Sequence, residues 1–129
     1  MALFNRGDFQ LSSGRVSTWI IDCETLTGED WDTLAFLASC ILPSFDYVTG
    51  IERGGVAFAR ALHAYRAPYR CDRIVIADDV VTTGKSFKWT RAKLVDQKPN
   101  LDIIGIAVFD RSGGCKPDFV KALLTVNVA

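Results

Sequence analysis

A chain of 129 residues and 14.2 kDa has room for one compact core and little besides, so it is read as a single unit. Equal numbers of basic and acidic side chains, 15 of each, exclude a global field that would hold nucleic acid or an anionic membrane, and leave partners to be recognised locally. With 49% apolar residues the chain can bury a core, yet its apolar runs are strand-sized, far short of the roughly 20 residues of a membrane helix.

In chain order, the first element is VSTWIID, Val16 to Asp22, rich in β-branched and aromatic residues after the Ser12-Ser13-Gly14 break. It predicts an early strand or half-hairpin. Between Gly28 and Pro43, the residues Trp31, Leu34, Ala35, Leu37, Ala38 and Ile41 recur at three- and four-residue steps, which predicts a helix with one apolar face. Thr27 and Asp30 have capping-box spacing at its start, and Pro43 stops it. Tyr47 to Ile51 is a short strand that enters the turn Glu52-Arg53-Gly54-Gly55, and a helix follows to about Tyr65, with Ala57, Phe58, Ala61 and Leu62 on its buried side.

Ile74 to Ala77 reads as a buried strand that meets Asp78-Asp79 and the polar turn Thr82-Thr83-Gly84. The next helix runs from Ser86 to Gln97, with Phe87, Thr90, Leu94 and Val95 at its inward edge. Leu101 to Phe109 and Leu123 to Val128 are further strands, with a short helix expected from Pro117 to Lys121. Strands alternating with helices imply an α/β fold: an open, mostly parallel sheet covered on both faces.

The segment RIVIADDVVTTGKS, Arg73 to Ser86, carries the chemistry. A strand delivers two adjacent carboxylates to its C-terminal end, where open α/β sheets bind ligands. Backbone N–H groups, two threonine hydroxyls and a helix N-terminus can then converge on one anion, with Gly84 allowing close approach. Two acids beside a phosphate cradle would repel a bare phosphate, so the ligand must also bring hydroxyl donors or a divalent cation. A Walker loop is excluded, because Asp79 stands where its first glycine is required.

Hydrophobic strand, paired acids, two small apolar residues, Thr-Thr-Gly and Ser, in that order, resemble the 5-phosphoribosyl-1-pyrophosphate (PRPP) motif of type I phosphoribosyltransferases. The resemblance implies that Asp78 and Asp79 hold the ribose 2- and 3-hydroxyls while Val81, Thr82, Thr83, Gly84, Lys85 and Ser86 wrap the 5-phosphate. It also implies Mg²⁺, with Asp78 and Asp79 as its protein contacts, directly or through water. Glu52, Arg53, Gly54 and Gly55 match the place of the pyrophosphate loop, where an unusual peptide geometry is a family expectation. Phe9, Leu11, Ser13, Gly14, Ser17, Trp19 and Asp22 fall in the register of the N-terminal hood of orotate phosphoribosyltransferases, and Asp110-Arg111 resembles their late Asp-Arg pair. The implied arrangement is a hood segment, residues 1–28, on a core of residues 29–129. Arg111, Trp19 and Ser12 become base-binding candidates.

Two positions depart from that branch. Ser12 stands where its hood carries a base-contacting lysine, and only Arg66-Ala67-Pro68-Tyr69-Arg70-Cys71-Asp72 fills the place of its long mobile catalytic loop. Arg66, Arg70 and Arg73 are the cations that so short a connection could offer a departing pyrophosphate. His63, the single histidine, lies in a helix away from both loops and reads as an ordinary packed or surface residue. Cys23, Cys40, Cys71 and Cys115 form no CxxC pair and read as buried or idle thiols in a reducing compartment; with no basic-then-apolar signal at the N-terminus, a cytoplasmic location is expected. The resemblance favours an enzyme that transfers 5-phosphoribosyl to an orotate-like pyrimidine or another nucleobase, commonly as a homodimer, with no nucleic-acid or membrane partner. A catalytically inactive PRPP- or nucleotide-binding sensor or assembly subunit of the same fold is the alternative, and a purely structural α/β subunit stands behind both.

Overall fold

Parallel strands need crossover connections, and the alternation of apolar runs with helical periods supplies them. The computed structural model describes residues 2–10 and 16–126. It contains a four-stranded parallel sheet ordered β3 (Tyr47–Gly50), β4 (Arg73–Val81), β5 (Asp102–Asp110) and β6 (Val120–Thr125). A separate antiparallel hairpin is formed by β1 (Phe4–Gln10) and β2 (Val16–Ile21), the hood. Helices α1 (Gly28–Ile41), α2 (Val56–Leu62) and α3 (Lys85–Gln97) complete the fold. No helix among the described residues is long and apolar enough to cross a membrane.

The period-2 alternation of β4 and β5 divides the core in two. Val75, Ala77, Ile106 and Val108 pack against Trp31, Ala35 and Ala38 of α1 and Phe58, Ala59 and Leu62 of α2. Ile76, Ala107, Val81 and Val120 pack against Phe87 of α3. Both faces of the sheet are covered, as the sequence predicts. The capping box also forms: Thr27 Oγ1 accepts from the Asp30 N–H at 3.1 Å, and Asp30 Oδ2 accepts from the Thr27 N–H at 2.9 Å.

Several expectations are corrected. The strand expected to end at Ala77 continues through the acid pair to Val81, because its ladder with β5 extends to Val81 opposite Asp110. No helix forms from Pro117 to Lys121, since Val120 is already paired with Gly105 in β6. Leu37, Ile41 and Val95 are exposed, while Ala59 is buried and Ala57 and Ala61 are half-buried. Strand β1 had no sequence signal, because FNRGDFQ is mostly exposed and lacks apolar alternation. Cys40 and Cys115 are exposed and Cys71 half-buried, leaving Cys23 as the buried thiol.

Candidate functional site

Strand β4 ends its apolar run at the C-terminal edge of the sheet and there presents Asp78 and Asp79. Both are half-buried. Each carboxylate turns back on its own strand, Asp78 Oδ1 accepting from the Asp79 N–H at 2.9 Å and Asp79 Oδ1 from the Val80 N–H at 2.8 Å. Among the described residues, the ion pairs are Arg70 with Asp72 and Arg73 with Asp102, so neither acid of the pair is met by a cation. Burial, followed by the hydrogen bond and charge of Asp79, pushes the Asp78 carboxyl up to about 8.

The turn after the acids leads directly into α3. Gly84 is the N-cap of α3 with φ at 80°, a left-handed conformation that glycine adopts without strain, and its α-carbon lies against Pro117. Gly84 offers no side chain to cap the helix, so apart from the Lys85 N–H its first N–H groups are presented to the turn. The Lys85 N–H donates to Thr83 Oγ1 at 3.3 Å. A recess of about 60 Å³ is lined by Asp78 and by residues 80–87, which gathers Val81, Thr82, Thr83, Gly84, Lys85 and Ser86. Val81 is buried, whereas Lys85 is an exposed cation on the first turn.

Across the sheet edge, β3 ends at Gly50, and Glu52, Arg53 and Gly54 form an exposed turn before α2. The Ile51 N–H donates to the Ala77 carbonyl at 2.9 Å, and the Gly55 N–H to the Ile51 carbonyl at 2.8 Å, binding the turn to β4. The Glu52–Arg53 peptide is cis, which matches the expected unusual geometry. A cavity of about 310 Å³ brings together Glu52, Arg53, Gly54, Asp78, Asp79, Thr82, Ser86 and Arg111. Gly55 is buried behind the turn.

The hood supplies walls that the motifs do not reveal: Gln10, Ile20 and Ile21 also line this cavity. Their residue types carry no signal by themselves; only the hairpin register brings them to the site. Cys23, in the turn after β2, was not expected here either. Burial first, then the charge and hydrogen bonding of Asp79, push its thiol up to about 12. Trp19 stands behind the Arg111 guanidinium and lines a separate concavity with Phe4, Arg6 and Val126. Ser12, with Leu11, Ser13 and Gly14, lies outside the described residues. Trp31 is a core residue and Trp89 a surface one.

The connection of residues 66–72 does not approach the site. It joins the 3-10 turn after α2 to the start of β4, at the opposite end of the sheet from Asp78, and the five residue steps from Arg73 to Asp78 correspond to about 17 Å. Asp46 holds it there, accepting from the backbone N–H groups of Cys71, Asp72 and Arg73 at 3.0–3.2 Å. Arg70 pairs with Asp72, and Arg73 with Asp102 and the Ser44 carbonyl. The expectation that Arg66, Arg70 or Arg73 could neutralise pyrophosphate is therefore corrected. His63 is exposed in a 3-10 turn that also lies away from the cavity.

The acid pair fits a divalent cation only in a shared mode. Among the described residues no group of three or more His, Cys, Asp or Glu side chains could cage a metal ion. Asp78 and Asp79, side by side in a wall of the cavity, do however offer the hard oxygen donors that Mg²⁺ takes when the substrate completes its shell.

No family model matches the chain. It is 28% identical to the orotate phosphoribosyltransferase of Pyrobaculum aerophilum, over 89% of this chain and 72% of that protein. Among solved structures, orotate phosphoribosyltransferase from Aeropyrum pernix superposes with a TM-score of 0.72 at 23% identity, covering 95% of this chain and 88% of that one. The Mycobacterium tuberculosis H37Rv orotate phosphoribosyltransferase, solved in complex with inorganic phosphate, gives 0.66 at 20% identity over 93% and 86%.

Proposed function

We propose that this chain, similar in sequence and fold to the type I phosphoribosyltransferases and among them to the orotate enzymes, binds PRPP and transfers its 5-phosphoribosyl group to a nucleobase, an orotate-like pyrimidine being favoured. One observation carries the reading: Asp78, Val80, Thr82 and Ser86 line both the small phosphate-sized recess and the larger cavity. A single molecule with a phosphate at one end and a hydroxylated ring next to it fills both.

The turn after β4 fixes the 5-phosphate through backbone N–H groups and hydroxyls, and Asp78 and Asp79 accept from the ribose hydroxyls. Arg53 and the backbone of residues 52–54 meet the pyrophosphate, whose planar recognition suits a guanidinium fork. Asp78 and Asp79 would hold Mg²⁺ together with oxygens of the substrate, and the ion would supply charge neutralisation for the departing pyrophosphate. The reaction breaks the bond from the anomeric carbon to the pyrophosphate oxygen and forms one to a base nitrogen; the chain contributes orientation and charge rather than a nucleophile. Ile20, Ile21 and Gln10 close the side of the hood and exclude water from that carbon. The hood and core act together as one unit, as a cytoplasmic homodimer, a state that light scattering measures.

A second reading, a PRPP- or nucleotide-binding subunit without turnover, is favoured by the connection of residues 66–72, which Asp46 holds at the far end of the sheet. Nothing in it reaches the site as a lid. Calorimetry with PRPP and Mg²⁺, followed by a pyrophosphate-release assay over a panel of bases, separates the two. Binding with release supports the transferase; binding with no release for any base leaves the binding subunit. Absence of binding removes both.

A further inference from the structure

We propose that Arg111 is the fastener of the hood, a positioning residue that seats the β1–β2 hairpin beside the cavity through Ser17 and Trp19. Its backbone is fixed to the strand of the acid pair, since the Arg111 N–H donates to the Val81 carbonyl at 2.9 Å. From there the side chain reaches back more than 90 positions in sequence. Nη2 donates to Ser17 Oγ at 2.7 Å and Nη1 to the Trp19 carbonyl at 3.2 Å, 94 and 92 positions away. The guanidinium also lies over the Trp19 indole, with Cζ 3.5 Å from the ring centroid. Fork and face of one side chain are thus both engaged by one strand.

The hood needs such an anchor. A two-stranded hairpin is marginal by itself in water, and β1 is mostly exposed. Among the described residues its apolar attachments are Ile21 in the core, Leu3 and Trp19 packed against that core, and Phe4 edge-on to Phe109. All but Trp19 lie at one end of the ribbon, and Trp19 is the residue whose ring and carbonyl the Arg111 guanidinium meets. Arg111 holds the middle of β2, directly before Ile20 and Ile21, which line the cavity. Because Arg111 lines the same cavity, a ligand group that accepts from its guanidinium competes with Ser17 Oγ and the Trp19 carbonyl. Hood seating and ligand contact at Arg111 are then in exchange, a consequence that rests on the PRPP reading, whereas the fastening itself does not.

Amide hydrogen exchange of the full chain without ligand tests the fastening, comparing the wild type with Arg111→Lys, Ser17→Ala and Ser17→Thr. Lysine keeps the charge but loses the fork, so β1 and β2 amides are expected to exchange about tenfold faster or more, with β4 and β5 amides unchanged. Ser17→Ala should show a smaller acceleration at the same amides, and Ser17→Thr, which keeps the hydroxyl, should restore wild-type rates. Unchanged hood exchange in Arg111→Lys overturns the proposal. Acceleration spread evenly over both sheets also overturns it, because Arg111 would then act on global stability. A PRPP titration of the same wild-type sample reports separately on the functional reading: lack of binding there removes that reading and leaves the exchange result intact.

Discussion

The Asp79 carboxylate lies against the α-carbon of Gly54, in the space that a β-carbon at position 54 would occupy. The turn of residues 52–55 and the acid pair are therefore one packed unit, although Gly54 and Asp79 lie 25 positions apart. Gly54→Ala is expected to leave the fold intact, since the turn is exposed. The Asp79 side chain must rotate away, and Mg²⁺-dependent PRPP affinity should fall about tenfold or more, which corresponds to ~1.4 kcal/mol. Titration calorimetry reads the change. Equal affinity in the variant would mean that the orientation of Asp79 is irrelevant to the ligand.

Gly84 makes a second demand of this kind, on both conformation and space. Its φ is 80°, and a β-carbon there would run into the Pro117 ring. Left-handed backbone costs an ordinary residue about 1–2 kcal/mol, to which displacement of Pro117 adds. Gly84→Ala should therefore lose at least ~1 kcal/mol in urea unfolding and weaken binding of inorganic phosphate. A variant with native stability and native phosphate affinity would show that the cradle does not need this turn.

What could be read from the sequence was whatever depends on neighbours along the chain. The Thr27/Asp30 capping box, the strand leading into Asp78, and Thr82 to Ser86 before a helix are local patterns, and local physics sets them. What could not be read depends on long-range packing. Strand β1 is held by its partner β2 rather than by an apolar period of its own. Pro117 behind Gly84, Cys23 beside Asp79, and Arg111 on Trp19 join positions whose sequence neighbourhoods say nothing of one another. The seven-residue connection showed its length in the sequence, but its attachment to Asp46 only in the fold.

Thiol chemistry offers a check on the environment of Asp79. Burial and the neighbouring carboxylates hold the Cys23 thiol protonated, pushed up to about 12. A disulfide reagent at neutral pH should therefore modify Cys40 and Cys115 rapidly, with Cys23 last and only as fast as the protein opens. Peptide mapping after timed labelling identifies each site. Early labelling of Cys23 would place it in solvent and away from the acids.

The acid pair should also appear in the pH dependence of stability. Asp78 is raised from 3.8 to about 8 in the folded chain, by burial first and Asp79 second. A raised carboxyl contributes stability that is fully present below its unfolded value and is lost as pH rises through the folded one. The ligand-free chain should therefore lose stability as pH climbs from about 4 towards 8, and Asp78→Asn should flatten that decline. Thermal unfolding across this range measures it; a flat wild-type profile would mean that burial beside Asp79 does not hold the Asp78 carboxyl protonated.

Asp46 predicts the opposite sign at the other end of the sheet. Burial would raise its carboxyl, but the N–H groups of Cys71, Arg73 and Asp72 outweigh that and hold it below its ordinary value. A lowered carboxyl contributes stability that is present above the unfolded value and is lost as pH falls through the folded one, so its effect lies on the acid side. Asp46→Asn keeps an acceptor but not the charge; it should lower the Tm at neutral pH and reduce the loss of stability below pH 4. Because Asp46 sits away from the cavity, PRPP affinity at neutral pH should remain that of the wild type while the connection loosens. Weaker ligand binding in Asp46→Asn, with the rest of the fold intact, would instead show that residues 66–72 reach the site from their anchored position.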